Sequence, residues 1–125
     1  MSKLTSTELE MFQGCYLTGA LMGIGDIVLN FSCRDVGQGI KIELATKFEW
    51  TSAGELVVGD GAAPASITTV YPLLNLTVSR ARQKDNGQFV VTFEDGKNLT
   101  IFSRADGYES YVIYLPGAIG GIVCY

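Results

Sequence analysis

Two stretches in which every second side chain is apolar constrain the fold of this chain more than any other feature. They cover residues 27–32 and 89–94, and their period of two is typical of a β-strand with one buried face. A turn and a further alternating stretch follow each of them, over residues 40–44 and 98–101. The second turn contains Asp95-Gly96, a strong hairpin signal. The pattern predicts two β-hairpins of one design.

Each hairpin follows another alternating stretch, residues 17–21 in one case and 74–78 in the other. We interpret the two groups as approximate repeat units, residues 15–50 and 74–115, which arose by duplication of a three-stranded meander. The units align with Leu17 on Leu74, Phe31 on Phe93 and Ile40 on Leu99. Alternatively, two unrelated amphipathic hairpins share the same alternation. Both interpretations predict a mainly β chain whose two antiparallel meanders form a sandwich, a roll or a barrel.

Short helices are predicted at two places. Thr5 and Glu8 have the spacing of a capping box, so a helix is expected to begin here and to stop at Gly14. Between the two units, residues 66–71 precede Pro72 and can form one helical turn, although their β-branched side chains disfavour it. One or two short helices should therefore accompany the strands.

The composition fits one packed domain and narrows the choice of partner. The 125 residues predict a single domain over residues 1–125. A net charge of −4 disfavours nucleic acid, whose binding needs clustered cations, and suits a basic partner. No apolar stretch approaches the roughly 20 residues of a membrane span, and the first ten residues carry no secretory signal. We therefore expect a cytoplasmic protein with no membrane partner.

The histidine and cysteine content offers no reactive site. The chain has no histidine, which excludes imidazole as a base, an acid or a metal ligand. Its three cysteines, Cys15, Cys33 and Cys124, are odd in number and lack C-x-x-C spacing. We interpret them as reduced thiols that pack as small hydrophobic residues.

The other candidate motifs favour structural roles. Gly23–Gly25 lacks the third glycine of a dinucleotide-binding loop, and Gly37–Gly39 lacks the lysine and hydroxyl residue of a phosphate loop. Glu94 and Asp95 are neighbours on a strand and so point to opposite faces. The three cations within Arg80–Lys84 are interpreted as the polar face of a strand rather than as a phosphate-binding stripe. The sequence predicts no enzymatic activity, no cofactor and no metal site.

Several motifs, most of them in the second half, resemble one family. They are Leu74-x-Leu76-x-Val78-x-x-Ala81, Gly87-x-Phe89-x-Val91-x-Phe93-x-Asp95-Gly96-x-x-Leu99-x-Ile101 and Tyr108-Glu109-Ser110-Tyr111, with a weaker Leu17-x-Gly19-x-Leu21-x-x-Ile24 and Leu29-x-Phe31 in the first half. They resemble an uncharacterised family of small bacterial proteins with L-G-x-x-V-x-x-A, F-x-D-G and Y-E-A-W motifs. The chain departs from these motifs at Leu76, where the second glycine is usual, and at Tyr111, which replaces tryptophan.

The resemblance implies a binding function. Members of this family are similar to the small, acidic, β-rich immunity proteins encoded beside polymorphic and contact-dependent toxin genes. An immunity protein binds its cognate toxin and blocks the active site, and the resemblance implies a basic nuclease as the toxin. The resemblance therefore implies a non-catalytic chain whose partner is a toxin domain.

The residues that we predict to contact the partner are acidic or aromatic. They are Glu43, Glu49, Glu55, Asp60, Tyr108 and Glu109. The carboxylates would face a basic toxin, and the tyrosine would act as an aromatic anchor. The alternative hypothesis is a small-ligand-binding or regulatory domain with a pocket between the two meanders. The sequence leaves a monomer and a homodimer equally open.

Overall fold

The structure, a computed structural model, describes residues 3–34, 38–104, 110–117 and 120–124. Within these ranges the chain forms ten strands, one α-helix and one 3₁₀ helix. The elements are α1 (Ser6–Glu10), β1 (Tyr16–Met22), β2 (Ile27–Ser32), β3 (Ile40–Leu44), β4 (Lys47–Ser52), β5 (Glu55–Asp60), the 3₁₀ helix (Pro64–Leu73), β6 (Val78–Gln83), β7 (Phe89–Phe93), β8 (Asn98–Ile101), β9 (Tyr111–Tyr114) and β10 (Ile122–Cys124). We call the 3₁₀ helix the linker helix.

The strands form two five-stranded antiparallel sheets that pack as a sandwich. Sheet A has the order β1-β2-β3-β9-β10, and sheet B has the order β5-β4-β8-β7-β6. The apolar side chains of each alternating strand face the other sheet, so the main core lies between the sheets. The prediction of a mainly β chain with two antiparallel meanders, β1-β2-β3 and β6-β7-β8, is confirmed.

The two halves of the chain follow the same path. In the first half, Tyr16–Asp60, a three-stranded meander in sheet A is followed by the hairpin β4-β5, which joins sheet B. In the second half, Val78–Cys124, a three-stranded meander in sheet B is followed by the hairpin β9-β10, which joins sheet A. Each half therefore completes the sheet of the other, and the repeated unit has five strands rather than the predicted three.

The pairing of the first strands corrects the predicted alignment of the halves. Both first strands have a register shift at the same place, between Leu17 and Gly19 in β1 and between Val78 and Arg80 in β6. Leu17 therefore corresponds to Val78 and not to Leu74. The apolar alternation misleads here because it begins before the strand does. The intervening Asn75 has a φ of +68°, a left-handed conformation that breaks an extended chain.

The pairing of the third strands corrects the alignment in the same way. Ile42 lies opposite Leu29 in sheet A, and Leu99 lies opposite Val91 in sheet B. Ile42 is therefore the counterpart of Leu99, where the alternation had suggested Ile40. The connection after β2 is longer than the Asp95-Gly96 turn after β7. This difference in length hides the true difference in residue number between equivalent positions of the two halves.

The N-terminal segment supplies the centre of the core. The predicted capping box is confirmed, because the Glu8 N–H donates to Thr5 Oγ1 at 3.1 Å and the Thr5 N–H donates to Glu8 Oε1 at 2.8 Å. The turn after α1 buries Phe12 completely. Its ring centroid lies 6.2 Å from that of Phe31 in sheet A and 5.3 Å from that of Phe89 in sheet B. Phe12 thus joins the two sheets.

The linker helix adds to the core beside β1 and β5. Val70 and Leu73 are buried, and the Trp50 Nε1–H of β4 donates to the Thr69 carbonyl at 2.8 Å. The helical turn predicted for residues 66–71 is confirmed, and it extends over Pro64–Leu73. Burial of this apolar surface outweighs the poor helix propensity of the β-branched residues.

The interpretation of all three cysteines as reduced thiols is wrong for two of them. Cys15 and Cys33 form a disulfide with a Cα–Cα distance of 4.3 Å, whereas Cys124 keeps its thiol and is buried. Tyr16 and Ser32 are paired at the base of the β1-β2 hairpin, so the residues just outside them face each other. The hairpin register makes this pairing possible, and the spacing of the cysteines along the sequence does not reveal it.

Candidate functional site

The loop end of the β1-β2 hairpin exposes three large apolar side chains, which we call the hairpin tip. Leu21 is 65% exposed, Met22 is 58% exposed and Ile24 is fully exposed at 107%. The turn is closed by the Gly23 N–H, which donates to the Asp26 carbonyl at 2.9 Å. Single exposed apolar residues are ordinary, but three within residues 21–24 at one hairpin end are typical of a binding surface.

A shallow groove lies beside the hairpin tip on the outer face of sheet A, and we call it the sheet A groove. Its volume is about 630 Å³. Leu21, Val28 and Glu43 lie opposite one another on β1, β2 and β3, so they form one row across its floor. The Tyr114 hydroxyl donates to Glu43 Oε2 at 3.1 Å. The lining is Leu21, Val28, Asn30, Gln38, Gly39, Lys41, Glu43, Tyr114 and Leu115.

The second half of the chain shows what the fold itself requires at these positions. Leu21 lies opposite Val28 in sheet A, and its counterpart Arg82 lies opposite Val90 in sheet B. By the same offset, Met22 corresponds to Gln83. The same strand geometry therefore accepts polar side chains where the first half has exposed apolar ones. Folding therefore does not require apolar side chains at positions 21 and 22.

The sheet A groove also contains side chains that differ from those at the equivalent positions of sheet B. Glu43 corresponds to Thr100, because both lie opposite the equivalent valines of the middle strands. Tyr114 lies opposite Lys41 of β3, and Thr51 lies opposite Asn98 of β8. Tyr114 therefore corresponds to Thr51. Threonine is an ordinary residue for an outer sheet face. The hydrogen-bonded pair of Tyr114 and Glu43 is therefore specific to sheet A.

The structure divides the predicted contact residues between two sheets. Glu43 lies in the sheet A groove, whereas Glu49, Glu55 and Asp60 lie on the β4-β5 hairpin of sheet B. The last two stand at opposite ends of β5, about 17 Å apart along an extended strand. Tyr108 and Glu109 lie outside the described residues. A single acidic patch that contains all four described carboxylates is therefore not formed.

Asp60 has a structural explanation. Its Oδ1 accepts a hydrogen bond from the Ala62 N–H at 2.9 Å, and its own N–H donates to Ser66 Oγ at 2.9 Å. The Asp60 carbonyl also accepts from the Ala63 N–H at 3.0 Å. These bonds fix the turn from β5 into the linker helix, which is a common use of aspartate.

Asp95 also has a structural explanation. It accepts hydrogen bonds from the backbone N–H of Lys97 at 3.0 Å and from the Lys97 Nζ at 2.6 Å. These two bonds hold the pKa of the Asp95 carboxyl below its usual value. Gly96 has a φ of +95°, as the predicted turn requires. Asp95 therefore belongs to the β7-β8 turn and is not placed as a catalytic acid.

One buried polar cluster lies between the sheets. The Tyr111 hydroxyl donates to the Gly87 carbonyl at 2.9 Å and accepts from Gln83 Nε2 at 3.0 Å. The Cys124 thiol lies 3.5 Å from the same Gln83 nitrogen. Burial raises the pKa of both the Tyr111 phenol and the Cys124 thiol. The cluster holds β6, β9 and β10 together and keeps both acids protonated.

We expect the raised pKa values to make the protein less stable in alkali. Above about pH 8.5 the thiol, and above about pH 10 the phenol, loses its proton in the unfolded chain while the folded chain keeps it. The free energy of unfolding should therefore fall as the pH rises, by up to about 1.4 kcal/mol per pH unit for each group. Urea unfolding between pH 7.5 and 10.5 measures this slope. Cys124→Ala should lack the part that begins near pH 8.5, and an unchanged slope would contradict the assignment to this thiol.

The described interior between the two sheets is filled by side chains. Phe12, Phe31, Phe48, Phe89 and Tyr111 are fully buried between the sheets, and the sheet A groove lies outside them. In the described ranges, no three cysteine, aspartate or glutamate side chains are placed to hold a metal ion. None of the helices in the described part of the chain is long and apolar enough to cross a membrane.

The fold and the site together define a class. The chain is a small β-sandwich of two like halves, with an apolar hairpin tip and an adjoining groove on one outer face. Comparison with protein families, with curated proteins and with solved structures found no match.

Proposed function

We propose that this chain is a non-catalytic binding protein that acts as the immunity protein of a bacterial toxin. The observation that carries the proposal is the hairpin tip, because the same position in the other half of the fold is polar. Interfaces are built around a few apolar and aromatic anchors surrounded by polar groups. Leu21, Met22 and Ile24 supply the anchors, and Glu43 and Tyr114 supply an ordered polar pair beside them.

The charge of the chain suits a basic toxin. A net charge of −4 attracts a cationic partner and accelerates its capture. Glu43 is then the carboxylate best placed to contact a cation, because its hydrogen bond to Tyr114 orients it in the groove. A toxin held on this face would be inhibited if its active site lay within the interface.

A growth assay tests the proposal. The C-terminal domain of the protein encoded next to this chain is expressed alone and together with the chain, and growth and co-purification are measured. We expect toxicity that the chain relieves, together with a stable complex. A harmless neighbour, or a toxic one that the chain neither binds nor relieves, would overturn the proposal.

Substitution of the hairpin tip should weaken binding without unfolding the protein. We expect Leu21→Gln, Met22→Gln and Ile24→Asn together to weaken the complex at least about 100-fold, since apolar anchors dominate interface energy. Arg82→Gln, at the position equivalent to Leu21, is the matched control. Titration calorimetry gives the affinity, and thermal unfolding checks the fold. If the triple variant and the control bind equally well, the hairpin tip is not the binding surface.

The cytoplasmic location is part of this proposal, and the disulfide makes it testable. Disulfides persist in oxidising compartments and are rare in the cytosol. Acid quenching of cells, followed by alkylation of thiols in denaturant so that the buried Cys15 is accessible, reports whether Cys15 and Cys33 are reduced in the cell. Labelling of both would support a cytoplasmic protein, and protection of both would place the chain in an oxidising compartment.

A further inference from the structure

The free edge of β5 is a second surface, and its backbone geometry follows from two hydrogen bonds. The Gly61 N–H donates to the Thr46 carbonyl on the β4 side, whereas the Asp60 N–H donates away from β4 to Ser66 Oγ. Neighbouring residues of an antiparallel strand point their backbone groups in opposite directions. The N–H and C=O groups of Leu56 and Val58 therefore point away from sheet B.

These four backbone groups lie at the end of the sheet. Among the described strands β5 pairs only with β4, and its Asp60 end is closed by the linker helix. At Leu56 and Val58 no backbone bond to another described residue replaces the missing strand, and both residues are 58% exposed. The segment Glu55–Asp60 contains neither the proline nor the lysine that commonly protect an edge.

We propose that this edge binds an extended segment of a partner protein, which adds to sheet B as a sixth strand. Added strands use the backbone groups for affinity and alternate side chains for specificity. The exposed side chains of Leu56 and Val58 would contact apolar residues of the segment. Its flanks would carry lysine or arginine, because the open stretch of β5 lies between Glu55 and Asp60.

The charges determine the kind of occupant. Glu49 lies opposite Val58 on the outer face of sheet B, so a third carboxylate stands beside the edge. A second copy of the chain paired on this edge would bring Glu55 and Asp60 of both copies together, and like charges across strands repel. A segment with basic flanks would instead neutralise them. The β5 edge therefore fits a basic strand of another protein better than the β5 edge of a second copy of this chain.

This inference does not rest on the proposed function. The edge belongs to sheet B, whereas the hairpin tip and the sheet A groove belong to sheet A. Substitutions on one surface leave the other surface intact, so each proposal can fail alone. The predicted contact residues Glu49, Glu55 and Asp60 all lie on the β4-β5 hairpin that carries this edge.

A synthetic peptide tests the edge directly. The probe is a blocked nonapeptide, Lys-Arg-Val-Thr-Val-Thr-Val-Arg-Lys, and its control replaces the four basic residues by glutamate. In amide-resolved NMR of the full chain, we expect the basic peptide to shift the signals of residues 55–60. It should also slow hydrogen exchange at Leu56 and Val58 at least about tenfold, because both N–H groups become hydrogen-bonded. The acidic peptide should do neither.

Two kinds of variant separate backbone pairing from surface charge. Val58→Pro removes an edge N–H without breaking a bond to β4, and proline is tolerated on edge strands. We expect it to weaken the basic peptide at least about tenfold, while Val58→Thr, which keeps the N–H, stays within about threefold. Glu55→Lys should weaken binding about tenfold through charge, and it keeps the test valid if the proline variant misfolds.

Several results would overturn the inference. One is that the basic peptide leaves the exchange of Leu56 and Val58 unchanged or shifts the sheet A groove instead. Another is equal binding of the basic and acidic peptides. A third is protection of the same two amides in the free chain that grows with protein concentration, which would show that a second copy occupies the edge.

Discussion

Replacement of Phe12 by alanine is expected to lower the free energy of unfolding by about 3–5 kcal/mol, which is typical of a buried phenylalanine. The ring is completely buried and contacts Phe31 in one sheet and Phe89 in the other. Its loss removes apolar contacts on both sides and leaves a cavity that two rigid sheets cannot readily fill. For a domain of this size the total stability is about 5–15 kcal/mol, so this single change removes a large share.

Urea unfolding followed by tryptophan fluorescence measures the effect, because Trp50 is buried in the same core. Met11→Ala is the matched control, since Met11 is adjacent in sequence and only partly buried. We expect the control to lose less than half as much stability. Equal losses in the two variants would show that the N-terminal segment covers the core from outside rather than filling its centre.

The strands of the two meanders and helix α1 could be predicted from the sequence, because local signals determine them. Alternating side chains gave the strands of both meanders, and the capping box of Thr5 and Glu8 gave α1, because a few neighbouring residues decide each of these features. The sequence also placed Phe12 at the end of a short helix. That the ring reaches between two sheets depends on contacts with distant residues, which no local pattern contains.

Long-range pairing explains what the sequence could not provide. The hairpin β4-β5 pairs with β8 through residues such as Trp50 and Leu99, and no spacing or periodicity links these positions. The disulfide between Cys15 and Cys33 likewise depends on the register of β1 and β2. The offset between the halves was misjudged because Leu74 continues the apolar alternation of β6 without being part of the strand.

The candidate site was predicted only where charge was informative. Glu43 was selected as an acidic residue, and the structure places it in the sheet A groove. Leu21 belongs to the predicted alternating stretch of residues 17–21, in which an apolar residue normally faces the core. One signal was present: Met22 and Ile24 flank Gly23 in a turn, where nothing covers apolar side chains. Exposure, and not residue type, identifies the site.

Removal of the disulfide is expected to destabilise the protein by about 3 kcal/mol. Cys15 and Cys33 are 18 residues apart. Closing a loop of about this length lowers the conformational entropy of the unfolded chain, which is worth about 3 kcal/mol of stability. We expect the double variant Cys15→Ser/Cys33→Ser to show the loss in urea unfolding. Wild-type protein in dithiothreitol should match the variant, and the reductant should have no effect on the variant itself. A wild-type midpoint that dithiothreitol leaves unchanged would contradict the prediction.

The position of the disulfide determines which part of the structure should change when the disulfide is reduced. The Cys15 carbonyl accepts a hydrogen bond from the Val78 N–H at 2.7 Å, and this bond joins the start of β1 to the start of β6. Reduction should therefore speed hydrogen exchange at Val78, where sheet A meets sheet B. The hairpin tip lies at the other end of the same hairpin and is held by five further strand pairs between Leu17 and Met22. Affinity at the tip should change less than about threefold in the folded variant, so we expect the disulfide to stabilise the fold without forming the proposed binding surface.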